Sequence, residues 1–107
     1  MIPSQIQQEI ARLTQENSRG AEALFEAEVK LAEAEHALDL IEQKAFIKTQ
    51  GTVADRTALA KLESADARLQ RDLRRAEFNR IKVKIKMIET ALMAIGTQVK
   101  LIQSEMR

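Results

Sequence analysis

The chain has no cysteine, no tryptophan and no tyrosine, and only one proline, three glycines and three phenylalanines in 107 residues. Without cysteine there are no disulfides or thiolate metal sites, and a reducing cytoplasm is the expected home. His36 is the only histidine, and Ser4, Ser18, Ser64 and Ser104 have no base at a local spacing, so a nucleophile–base pair is not in sight. Gly51 stands alone, which argues against a glycine-rich phosphate cradle. The missing aromatics argue against a platform for stacked bases, and the three Phe are expected in the core. No apolar run approaches the roughly 18 residues of a membrane span, and the start of the chain lacks the basic-then-apolar order of a signal peptide. The expectation is a soluble, non-enzymatic protein with no cofactor and no membrane association.

What is abundant is Ala, Leu, Glu, Lys, Arg and Gln, the makeup of long helices and coiled coils. The net charge of +1 hides a split: residues 1–43 carry nine acids and three bases, residues 44–107 seven acids and fourteen bases. Such polarity can be satisfied within the molecule, between copies, or by an external polyanion.

One punctuation mark divides the chain. Gly51 can take the left-handed conformation that ends a helix, and Thr52-Val-Ala-Asp55 reads as a capping box opening the next. Ser4, with Gln7 three residues on, reads as an earlier N-cap. These signals predict one domain over 1–107, all-α: a first helix over about 4–49, a turn at 50–52 and a second helix over about 53–105. Gly20 and Gly96 fall inside these helices as potential bends.

The first helix carries a heptad. One position runs Ile6, Leu13, Gly20, Ala27, Ala34, Ile41, Lys48; the other runs Ile10, Asn17, Leu24, Leu31, Leu38, Ala45. The second helix has its own seam in alternating three- and four-residue steps: Phe78, Ile81, Ile85, Ile88, Leu92, Ile95, Val99, Ile102, Met106. Residues 79–87, NRIKVKIKM, alternate like a strand, but Ile81 and Ile85 belong to this longer stripe, so the helix reading accounts for more residues. Upstream, the expected seam is Leu59, Leu62, Leu69, Leu73, Ala76, slightly out of phase with the later one. Either the supercoil changes near 76–78, or the helix uses two apolar faces, one within the fold and one toward another subunit.

A turn near residue 51 predicts an antiparallel helical hairpin with residue i opposite residue 102 − i, the acidic stretch Glu16–Glu42 facing the basic stretch Lys61–Lys86, and Phe25 level with Phe78. Two helices cover each seam on one side only, so a homo-oligomeric bundle is expected.

The basic stripe is the leading functional candidate. Lys61, Ser64, Arg68, Arg71, Arg75, Asn79, Lys82 and Lys86 share a helix face about 37 Å long, with Arg74, Arg80 and Lys84 on its flank. A row of Arg and Lys suits a phosphate backbone read without sequence preference. The same residues can instead pair with Glu22, Glu26, Glu33 and Asp39, as flanking charges do in coiled coils. Glu35, His36 and Asp39 could nominally bind a metal, but a solvated helix face produces that pattern far more often.

Lys44-Ala-Phe-Ile-Lys48 followed by Gly51-Thr-Val-Ala-Asp-Arg56 resembles a pattern of short helical proteins of tailed bacteriophages, over roughly residues 30–102. More distantly the layout is similar to UvsY-type recombination mediators, through Asp55-Arg56, Ala65-Asp66, Ala91-Leu92 and Ile95. That resemblance implies an oligomeric accessory of DNA recombination or replication in the host-cell cytoplasm. It would bind single-stranded DNA and work with a recombinase or single-strand-binding protein. It adds Lys44, Lys48, Arg56 and Lys61 as DNA contacts beside Arg68, Arg71, Arg75, Lys82 and Lys86. The turn is shorter and the aromatics fewer than in the mediators. The competing expectation is a structural or adaptor coiled coil that binds proteins and not nucleic acid.

Overall fold

The structure, a computed structural model, describes residues 3–105. Met106, the last position of the expected second seam, lies outside them. Three helices follow one another: α1, Ser4–Lys48; α2, Val53–Glu63; α3, Ala65–Glu105. No strand occurs among the described residues, and 79–87 is helical throughout.

The helix ends follow from local chemistry. Pro3, not Ser4, stands at the start of α1: its carbonyl accepts from the amides of Ile6 and Gln7. Proline lacks an N–H, so it loses nothing at a helix edge where that donor would be orphaned. At the other end the Thr49 hydroxyl donates to the Ala45 carbonyl at 2.7 Å, and Gly51 turns the chain with φ of 125°. Thr52 caps α2, its Oγ accepting from the Asp55 amide at 3.2 Å. The second helix was expected to run unbroken, but it is interrupted at Ser64. The interruption is confined to one residue, because Ser64 still donates to the Ala60 carbonyl and accepts from the Arg68 amide.

The chain forms two compact units, Met1–Phe25 with Arg80–Arg107, and Glu26–Asn79. In the first, Leu13 and Ile88 are buried, and Ile6, Ile10, Leu24, Ile81, Ile85, Leu92, Ile95, Val99 and Ile102 are half-buried. Gly20 belongs to this seam for a steric reason: a Cβ there would lie 3.0 Å from Ile85 Cγ1. The helices meet closely where α1 has no side chain. Phe25, expected in the core, is 68% exposed.

In the second unit the buried apolar residues are Ala27, Leu38, Ala45 and Ala60, with Leu31, Ala34 and Phe78 half-buried and Ile41 exposed. As α1 numbers fall, partner numbers rise: Lys48 meets Glu63, Glu42 meets Arg68 and Glu35 meets Arg75. The 102 − i register is met by Arg56 with Phe46 and is three residues off where Gly20 approaches Ile85, while the ion pairs of Lys48, Glu42 and Glu35 reach partners eight or nine residues further on than expected.

The upstream seam is also corrected. Leu62, Leu69 and Leu73 are 71, 55 and 54% exposed, Leu59 is exposed too, and the inward positions are Ala60, Ser64, Ala67, Arg68, Arg71 and Arg74. These continue the three-and-four spacing of Phe78 and Ile81 back toward the turn. Small residues at the inward positions Ala60, Ser64 and Ala67, with inward Ala27, Ala34 and Ala45 on α1, allow the backbones to approach.

Candidate interaction surfaces

The face expected to hold a polyanion is therefore partly an inner face. Its centre is Ser64, fully buried. The Ser64 hydroxyl lies 3.3 Å from the Lys61 carbonyl oxygen and 3.5 Å from Glu42 Oε1, and accepts from Arg68 Nη2 at 3.0 Å. Arg68 Nη2 also donates to Glu42 Oε1 at 3.2 Å. Serine at this point offers the backbone a local competitor, which accounts for the one-residue break between α2 and α3. The three side chains satisfy one another, and no described buried side-chain polar atom lacks a partner.

The other nominated cations divide. Arg56 donates from Nε to the Phe46 carbonyl at 2.9 Å and lays its guanidinium over the Phe46 ring, 4.2 Å from the centroid, pinning the turn. Lys48 sits 3.8 Å from Glu63, Arg75 3.5 Å from Glu35, and half-buried Arg71 2.9 Å from Asp72. Lys82 is not free either. Lys44, Lys61 and Lys86 are exposed. Glu42, Glu35 and Glu63, the acids met by Arg68, Arg75 and Lys48, lie outside the expected set of Glu22, Glu26, Glu33 and Asp39, and Asp39 accepts from Gln43 Nε2 at 3.2 Å. The exposed cross-helix pairs Lys48–Glu63 and Arg75–Glu35 are each worth about 0–1 kcal/mol, so they orient the helices more than they stabilise them.

In the second unit a groove of about 400 Å³ runs between Phe46 and Ile47 on one side and Thr57 and Ala60 on the other, with Glu42 and Lys61 at its rim. In the first unit a groove of about 440 Å³ over Gly20 and Ile85 is bordered by Arg19, Arg80, Lys84 and Glu16. Glu16 accepts from Arg12 at 2.9 Å, and Arg12 also holds Glu9. The guanidinium hydrogen bond lowers the Glu9 carboxyl below its ordinary range, and Glu9 in turn raises Arg12.

Sequence reasoning missed the roles of Ser64 and Glu42. The available signal was phase: counting back from Phe78 in steps of four and three reaches Arg74, Arg71, Ala67, Ser64 and Ala60. Among the described residues, no group of three or more His, Cys, Asp or Glu could hold a metal ion, and no helix is long and apolar enough to cross a membrane. Comparison with protein-family models, curated proteins and solved structures finds no match to this chain.

Proposed function

We propose that this chain is a non-catalytic helical scaffold, a helical hairpin that assembles with copies of itself and binds proteins rather than nucleic acid. One observation carries the reading: on α2 and α3 in the second unit, Arg68, Arg71 and Arg74 are half-buried and paired with Glu42, Asp72 and Glu77, while Leu62, Leu69 and Leu73 turn outward. Cations already held by Glu42, Glu35, Glu63 and Asp72 would have to break those contacts to grip phosphate. Exposed leucines, in contrast, gain about 25 cal/mol for each Å² they bury. The paired contacts of α1 with α2 and α3 support the hairpin.

A second reading keeps single-stranded DNA as a ligand of an oligomeric, mediator-like accessory. Arg19, Arg80 and Lys84 around the first unit's groove favour it, since phosphate contacts need clustered cations.

Size exclusion with light scattering, run with a labelled single-stranded oligonucleotide at low and physiological salt, separates the two. The scaffold reading expects a multiple of 12.1 kDa, with the DNA eluting apart. DNA that co-elutes at low salt, leaves at physiological salt, and is lost in Arg80→Glu/Lys84→Glu would establish the second reading and overturn the first.

A further inference from the structure

Resting on the scaffold reading, we propose that the outward leucine stripe of the second unit binds the outward face of residues 80–87 on a second copy of this chain. Leu62, Leu69, Leu73 and Ala76 recur at steps of seven, four and three, so they form one stripe about 21 Å long on the side of α2 and α3 turned away from Ser64 and Arg71. Its flanks are acidic, with Asp66 and Asp72 exposed beside the leucines, Asp72 also holding Arg71 of its own helix. In the first unit, Val83 and Met87, one turn apart, are 60 and 66% exposed. Residues 78–88 hold four bases and no acid, and exposed Arg80, Lys84 and Lys86 stand around these two apolar side chains.

The two faces are therefore alike in being apolar and opposite in charge. Pairing leucine stripe with leucine stripe would set Asp66 and Asp72 near their own copies, and pairing the basic faces would crowd lysines. Only the crossed combination brings Asp66 and Asp72 against Lys84 and Lys86, as flanking charges do in helix pairs of chosen orientation.

Sedimentation equilibrium on the full chain tests this, with circular dichroism to check helix content. Leu69→Asp/Leu73→Asp is expected to raise the dissociation constant at least about tenfold. Asp66→Lys/Asp72→Lys and Lys84→Glu/Lys86→Glu each weaken assembly, and mixing those two reversed chains, or combining all four changes in one, restores it to within a few-fold of wild type. A monomeric wild type overturns the scaffold reading itself and leaves the stripe to some other partner. An oligomeric wild type that Leu69→Asp/Leu73→Asp leaves intact overturns this surface while the scaffold stands. If the leucine variant loses its helices, the charge reversals decide: weakening without restoration refutes the crossed pairing.

Discussion

Replacing Gly96 and Gly20 by alanine, one at a time, separates helix propensity from packing. Both glycines lie within long helices, where glycine costs about 1 kcal/mol relative to alanine. A Cβ at Gly96 meets nothing within 4 Å, so Gly96→Ala should realise that whole gain. At Gly20 the new methyl would sit 3.0 Å from Ile85 Cγ1 and 3.5 Å from Ile85 Cδ1. Ile85 must shift, and overpacking of this kind costs about 1–3 kcal/mol, which cancels or exceeds the propensity gain. Thermal unfolding followed by circular dichroism, at one fixed protein concentration, reads the difference. Gly96→Ala should raise Tm by about 4–8 °C, and Gly20→Ala should leave it level or lower it. Equal stabilisation by both would refute the close approach of α1 and α3 at Gly20.

Ser64→Ala removes the hydroxyl that Arg68 donates to, and should cost about 1–2 kcal/mol in urea unfolding; a neutral result would mean the buried triad is not formed. Gly51→Ala places a side chain at φ of 125° and should destabilise by more than about 1 kcal/mol, unless the turn re-forms elsewhere. Glu9 should titrate below the ordinary glutamate range by NMR and return to it in Arg12→Ala. Because its folded value is lowered, whatever stability it contributes is present above the unfolded value and is lost as pH falls through the folded one. An unmoved Glu9 in Arg12→Ala would sink that assignment.

The helical class and the isoleucine stripe were legible because Phe78 to Ile102 keeps one phase for seven turns and outweighs the strand-like alternation of 79–87. The turn was legible through Gly51 and Thr52, whose chemistry is local. The second unit was not. Reading leucine as inward and arginine as outward is a rule about solvation, and here a rule about volume prevails. The inward positions Ala60, Ser64 and Ala67 carry small side chains, while Leu62, Leu69 and Leu73 turn outward. The half-buried Arg68 stem packs inward while its head reaches Glu42. The alternative of two apolar faces on the second helix had been open in the sequence. Phase continuity from Phe78 back to Ala60 marks the inward face, with the leucines on the other.

The chain has no cysteine, so Ala76→Cys places a single thiol on the outward leucine stripe with little change in size. Its alkylation rate, measured from dilute to concentrated protein, tests whether that stripe is open on one chain and covered by another. Labelling is expected to be fast in dilute solution and slowed about four- to fivefold once the total concentration reaches about ten times the dissociation constant. A rate that stays the same at every concentration would contradict it.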